Sequence, residues 1–262
     1  MTRAWLGFSV VWAFSLAVHA EPVEVVTVGH VTVSFEKTGD AGQIEEFKKN
    51  IVPKTSAILD SLASDLGSSP DSASAKIFFY SPQTYATKFP DTVASQIPAF
   101  FDGSAVQARA DNEITVLMES TLRHELTHLL IAQNYGSKIP TWLNEGLAVY
   151  EERKNTIDST PIFTDYNTIV VAKQQNNMMS LERLEGSGIF LRSQGTEPSK
   201  LAYRIAYVAV YELIQKSGMD SIRQYLTGLK KGRDARAEFG VVFGTPYEKY
   251  TDQLVEIAQK KS

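Results

Sequence analysis

His124-Glu125-Leu126-Thr127-His128 is the stretch of this sequence that decides the fold, and it lies inside an apolar segment. On a helix, positions four apart lie on the same face, so the imidazoles of His124 and His128 can reach one metal ion. Glu125 lies beside them and can act as a general base on a metal-activated water. The spacing therefore predicts a metal-binding helix over residues 120–134, with Glu125 as a catalytic residue.

A catalytic zinc site needs a third protein ligand and one open position. Residues 140–150 read Pro-Thr-Trp-Leu-Asn-Glu-Gly-Leu-Ala-Val-Tyr, which is typical of a second helix that begins next to a proline. Glu145 is the candidate ligand, because the small Gly146 beside it allows this helix to pack closely on the first. The alternative is a surface glutamate on an amphipathic helix. Glu151 and Glu152 are rival ligands, but we expect both to face solvent next to the basic residues that follow.

Composition narrows the kind of metal site and the class of protein. The 262 residues include no cysteine, which excludes disulfides and thiolate ligands, so any zinc must be held by nitrogen and oxygen atoms. The net charge of −4 is spread without a concentrated basic patch, which argues against nucleic acid as a partner. The apolar share of 43% is enough for one large domain or two closely packed subdomains.

The first twenty residues have the pattern of a secretory signal peptide. Arg3 precedes an apolar run over residues 4–18, and Val18-His19-Ala20 offers small or modest residues at the positions that a signal peptidase reads. A membrane anchor is the alternative, but the run is shorter than the roughly 20 residues that span a bilayer. We therefore expect cleavage near Ala20 and a secreted or periplasmic mature chain with no stable membrane span.

Hydrophobic periodicity places strands in the first half of the chain and helices in the second. Residues 23–36 alternate as a strand or as a hairpin turning near Gly29-His30, and 76–80 reads as a buried strand. One or two strands are expected within 100–118, the last over 113–118. The predicted helices are 41–66, 83–88, 120–134, 141–153, 165–176, 199–217, 219–230 and 246–260. This order predicts an α+β fold, in which a mixed sheet-and-helix part (21–118) with an edge strand before the metal helix precedes a mainly helical part (119–262).

The combination of His-Glu-x-x-His with Pro-x-Trp-Leu-x-Glu-Gly-Leu-Ala resembles the peptidase MA-like branch of the gluzincin metallopeptidases, the broad thermolysin-like clan. The resemblance implies zinc held by His124, His128 and Glu145, with Glu125 as the base. Weaker similarities cover residues 103–118, 201–207 and 243–250. Together they extend the likeness over roughly residues 75–260, whereas residues 21–74 match no part of the family pattern.

One position departs from the family pattern. Thermolysin-like enzymes often carry an aspartate four residues after the glutamate ligand, where it supports a metal-bound histidine, and that position here is Val149. Such partners fix the ring orientation and the metal affinity. The partner must therefore come from elsewhere, and Asn144 and backbone carbonyls are the candidates.

A hydrolase of this type also needs a hydrogen-bond donor for the oxyanion of the tetrahedral intermediate. His30 is far away in sequence, so Tyr203 and Tyr207 are the better candidates. The alternative is that both rings pack in the core and satisfy their hydroxyls locally.

Three functions follow from these residues. The first is an exported zinc metallopeptidase that acts on a peptide or protein substrate. The second is a catalytically inactive, zinc-stabilised peptide-binding module with the same fold. The third is an exported adhesin or scaffold in which the motif is accidental. Glu125 argues against the second because a structural site does not require it, and the Glu145 segment argues against the third. The sequence leaves the oligomeric state open.

Overall fold

The computed structural model describes residues 23–36, 41–95, 97–110, 116–154, 160–192 and 196–262. The signal-peptide prediction for residues 1–20 lies outside this range. Within it, no helix combines the length and the apolar character needed to cross a bilayer.

A five-stranded mixed sheet forms the N-terminal part, in the order β1-β2-β3-β5-β4. The strands are β1 (Val23–Val28), β2 (Val31–Glu36), β3 (Ala75–Tyr80), β4 (Ala99–Phe101) and β5 (Val106–Arg109). β1 and β2 form the predicted antiparallel hairpin, which turns at Gly29 with a φ of 56°. β2, β3 and β5 run parallel, and β4 pairs antiparallel with β5 at one edge of the sheet.

Helices pack on this sheet and connect its strands. α1 (Ala41–Asp65) joins β2 to β3, and two short helices, α2 (Pro82–Lys88) and α3 (Asp91–Ala94), lead to β4. The alternate strand residues Val33, Ile77 and Val106 are fully buried in the same apolar cluster as Leu59 and Leu62 of α1. Neighbouring residues on one face of three strands and two leucines three residues apart on the helix thus share one core.

The prediction of a strand over residues 113–118 is wrong for residues 116–118, which the structure describes. Residues 116–118 form the first turn of the metal-binding helix, α4 (Val116–Tyr135), and residues 111–115 lie outside the described range. Met118, Leu122 and Leu126 are buried at four-residue intervals, so the helical repeat extends one turn further back than the β-branched residues suggest. Two strands, β4 and β5, lie earlier in this region, where the sequence predicted at most one.

The C-terminal part is mainly helical, which confirms the α+β class. After α4 come α5 (Thr141–Arg153), α6 (Phe163–Gln174), α7 (Gly188–Arg192), α8 (Glu197–Lys230), α9 (Ala235–Phe243) and α10 (Tyr247–Lys261). The helices predicted over 199–217 and 219–230 are the two halves of α8, which kinks at Gly218 where φ is 79°. α9 was not predicted. It begins at an Asp234 cap and ends at Gly244, whose φ is 67°.

Helix α5 is fixed in place by a close approach to α8 and by a buried indole. A Cβ on Gly146 would lie 2.4 Å from the carbonyl oxygen of Ala206 and 2.6 Å from Val210 Cγ2, so only glycine permits this packing distance. The fully buried Trp142 donates a hydrogen bond from Nε1 to the hydroxyl of Tyr247 at 2.9 Å. Gly146 was expected to let α5 pack closely on α4, but its close approach is to α8.

Candidate metal centre

His124 and His128 lie one turn apart on α4, and their ring centroids are 4.8 Å apart at an interplanar angle of 80°. Glu145 faces them from α5. Its Oε2 atom lies 3.6 Å from Nε2 of His124 and 3.6 Å from Nε2 of His128. The ligand atoms that these three residues offer all lie within 4.8 Å of one another. The structure therefore brings the three predicted ligands together as a group that could hold a metal ion.

The donor set fits a tetrahedral metal ion. Zinc bonds of 2.0–2.1 Å in tetrahedral geometry place ligand atoms about 3.3–3.4 Å apart, close to the spacing between Glu145 and each imidazole. Oε2 of Glu145 is buried and has no hydrogen-bond partner among the described residues. A buried carboxylate oxygen without a partner is costly, and a cation bound between the two imidazoles would satisfy it.

The charges around the two imidazoles also favour a cation. Burial by itself would lower the pKa of His124, yet the neighbouring carboxylate of Glu145, the hydrogen bond with Glu152 and the charge of Glu125 raise it well above the usual 6.5. Burial would likewise lower the pKa of His128, but the charge of the Glu145 carboxylate outweighs that effect and raises this pKa. Three carboxylates, those of Glu125, Glu145 and Glu152, thus surround the two imidazoles in a buried pocket, so a positive charge there is strongly stabilised.

Each imidazole is oriented through its other nitrogen. Nδ1 of His124 lies 2.9 Å from Oε2 of Glu152, and Nδ1 of His128 lies 3.1 Å from Oδ1 of Asn144. Both partners present acceptor oxygens, so the proton is held on Nδ1 and the lone pair of Nε2 faces the ion site. Asn144 was one of the expected partners. The expectation that Glu152 faces solvent is wrong.

The position of Glu152 follows from helix geometry. Glu145 and Glu152 are seven residues apart, which is two turns of helix, so both side chains lie on the face of α5 that packs on α4. The seven-residue spacing was available in the sequence, whereas the neighbouring basic residues suggested an exposed surface. Glu152 therefore takes the place of the aspartate that the family pattern would put at position 149.

Glu151 is also buried, with 0% of its surface exposed, so the expectation of a solvent-facing residue is wrong here too. Its Oε2 atom lies 3.7 Å from Nη1 of the buried Arg123, and neither carboxylate oxygen has a hydrogen-bond partner among the described residues. Burial raises the pKa of Glu151 to about 7, and the positive charges of Lys154 and Arg123 only partly oppose this effect. Glu151 points away from the ion site into the contact between α4 and α5.

Glu125 lies beside the two histidines and is nine-tenths buried. Its Oε2 atom accepts a hydrogen bond from the backbone N–H of Phe101 in the edge strand β4, at 2.8 Å. Burial raises the pKa of Glu125, although the nearby histidines and the Phe101 amide oppose that effect. A carboxylate that retains a proton more readily than usual is suited to accept one from water near neutral pH.

The two candidate tyrosines lie in different surroundings. The hydroxyl of Tyr203 interacts with the carboxylate of Glu145, and its pKa is raised first by burial and then by the charges of Glu145, Glu125 and Glu152. The ring of Tyr207 instead lies under the Arg153 guanidinium, 4.4 Å from its carbon. Burial raises the pKa of Tyr207 to about 12, with Arg153 opposing it. The phenol of Tyr203 is thus affected by the carboxylates of the ion site, whereas the ring of Tyr207 lies against a cation.

A comparison with known protein families agrees with the geometry of the site. A family model described as the peptidase MA superfamily matches residues 55–255, which include the sheet from β3 onward and all the residues of the candidate site. A search of curated proteins found no match.

Proposed function

Because the chain belongs to the peptidase MA superfamily, we propose that it is a zinc-dependent metallopeptidase of the gluzincin type. One observation carries the proposal: a partnerless carboxylate oxygen of Glu145 faces the Nε2 atoms of both histidines, with Glu125 beside them. His124, His128 and Glu145 would hold the zinc, and nitrogen and oxygen ligands from three residues leave one position open.

A zinc ion bound at these three residues would supply a Lewis acid and a water molecule of lowered pKa. Glu125 takes the proton from the attacking water and later delivers it to the nitrogen of the leaving amine. Glu152 and Asn144 hold the two imidazoles in the orientation that the site requires. Little of the Glu125 and Glu145 side chains is exposed, which keeps bulk water away from both carboxylates and strengthens their electrostatic interactions.

Tyr203 is the side chain we assign to the oxyanion. Its hydroxyl interacts with Glu145, and its phenol stays protonated because burial and three carboxylates raise its pKa. A protonated phenol can donate a hydrogen bond to the oxygen on which negative charge develops. The ring is held edge-on against the buried Phe190, with centroids 5.0 Å apart, and this contact limits its motion in the free protein.

The substrate we propose is an extended peptide segment lying along β4. This strand is at the edge of the sheet and next to α4, and edge strands bind extended peptides through main-chain hydrogen bonds. Export through a cleaved segment ending near Ala20 would place the enzyme in a secreted or periplasmic compartment.

Turnover separates this proposal from the inactive, zinc-stabilised peptide-binding module. Zinc-loaded parent protein and the Glu125→Gln variant are incubated with an unfolded protein and a mixed peptide library, and new termini are identified by mass spectrometry. We expect the parent to cleave and Glu125→Gln to be slower by about a hundredfold to ten-thousandfold, as for loss of a general base. The exposed Glu256→Gln variant is the control for removing a carboxylate elsewhere. A parent that holds zinc and cleaves nothing would favour the binding module.

A further inference from the structure

The outer edge of β4 presents main-chain groups toward the candidate site. Arg109 donates to the carbonyl of Pro98 at 2.8 Å, and Asp102 donates to the carbonyl of Ala105 at 3.0 Å. In an antiparallel pair, hydrogen-bonded and non-hydrogen-bonded positions alternate. The N–H of Phe101 therefore points away from β5 and out of the sheet.

That outward N–H donates to Oε2 of Glu125 at 2.8 Å, across 24 residues of sequence. The hairpin that follows Phe101 fixes its direction. Oδ1 of Asp102 accepts hydrogen bonds from the backbone N–H of Ser104 at 2.8 Å and of Ala105 at 2.9 Å, and Oδ2 accepts one from Gln107 Nε2 at 2.7 Å. The Phe101 amide thus lies between a paired strand and a turn that these side-chain hydrogen bonds stabilise.

A glutamate in this pocket needs such a contact to keep one orientation. Its side chain has three rotatable bonds, and the like charge of Glu145 acts against its ionised form. A buried carboxylate also requires hydrogen bonds to offset the loss of water. The Phe101 amide supplies one at Oε2 and leaves Oε1 as the oxygen that can accept a proton.

We propose that the backbone amide of Phe101 is a positioning group, which holds the Glu125 carboxylate through Oε2 so that Oε1 faces the reacting water. The catalytic consequence rests on the proposed peptidase function, whereas the contact itself does not. The edge strand then has a second role besides any contact with substrate, because its turn geometry sets the direction of the base.

The contact is tested first in metal-free protein, by amide hydrogen exchange measured by NMR on the parent and on Glu125→Ala. The Phe101 amide should exchange roughly tenfold to a hundredfold faster in the variant, because a hydrogen bond to a charged acceptor is lost. The Phe100 amide, which faces β5, is the internal control and should keep its rate. Equal Phe101 rates in the two proteins would overturn the proposal.

The catalytic role is tested by Phe101→Pro against Phe101→Ala. Both variants lose the ring, and only proline loses the N–H. Proline is tolerated at an edge strand where the N–H faces outward. We expect kcat of the proline variant to be roughly tenfold to a hundredfold below that of the alanine variant, with zinc content and KM unchanged. Equal kcat values in the two variants would overturn the proposal.

An ester at the same position provides a variant that keeps the side chain. Replacing Phe101 by phenyllactic acid changes only the N–H to an oxygen, and it takes the place of Phe101→Pro if proline prevents folding. The same loss of kcat is expected relative to the parent, and an unchanged kcat would overturn the proposal. A parent with a protected Phe101 amide but no cleavage of any substrate contradicts the peptidase function and leaves the contact standing.

Discussion

Replacing Glu152 by alanine should weaken zinc binding without removing any ligand. The carboxylate lies 2.9 Å from Nδ1 of His124, where it fixes the ring and increases the basicity of Nε2. Loss of such partners typically lowers metal affinity by about 10- to 100-fold. About a third of the Glu152 side chain is exposed (33%), so water can partly replace it, and we expect the lower part of that range. A loss of about tenfold corresponds to about 1.4 kcal/mol.

The assay is a competition for zinc between the protein and a chelator of known affinity, at fixed pH and ionic strength. Glu152→Gln keeps an acceptor oxygen and loses the charge, so its affinity should lie between those of the parent and Glu152→Ala. Asn144→Ala removes a neutral partner at the longer distance of 3.1 Å and should have a smaller effect. Glu256→Ala, at an exposed site on α10, is the control. If Glu152→Ala binds zinc within about twofold of the parent, Glu152 does not tune the site.

Three further predictions test other parts of the structure. Tyr203→Phe should lower kcat by about a hundredfold or more with little change in melting temperature, because an oxyanion donor is lost. Tyr207→Phe should keep the kcat of the parent, and equal kcat values for the two variants would contradict the assignment of Tyr203. Gly146→Ala should lower the free energy of unfolding by about 1–3 kcal/mol in a denaturant titration, because the new Cβ would meet the α8 backbone. Gly186→Ala is the control, because a Cβ at that position meets no atom within 4 Å. Burial raises the pKa of Glu151 from 4.5 to about 7, so the folded state binds the proton more tightly and loses stability as pH rises through that window. At about 1.36 kcal/mol per pH unit the loss is about 3 kcal/mol, and Glu151→Gln should abolish it; parallel pH profiles of unfolding for the two proteins would contradict this account.

The central part of the site could be predicted because it depends on helix periodicity alone. The four-residue spacing of His124 and His128 puts both rings on one face in any helix, and the proline before α5 marks its first turn. The predicted bounds of α5, 141–153, are those of the structure. Glu145 then follows from the need for a third ligand on a neighbouring, closely packed helix.

The features that the sequence did not predict depend on contacts between residues that are distant in sequence. Glu151 and Glu152 stand beside basic residues, and the burial of Glu151 and the contact of Glu152 with His124 result from the packing of α5 on α4. The contact between Phe101 and Glu125 joins an edge strand to a helix and involves a main-chain group, so no side-chain pattern encodes it. The β-branched residues before the metal helix favoured a strand, but burial of one helical face extended α4 back to Val116.

Zinc content tests the central claim most directly. Elemental analysis after mild dialysis is performed on the parent, on Glu125→Gln and on His128→Ala, each after exposure to zinc. Because three residues form the ligand set and Glu125 is not one of them, we expect about one zinc per chain in the parent and in Glu125→Gln, and loss of the metal in His128→Ala. A His128→Ala protein that holds as much zinc as the parent would contradict the site.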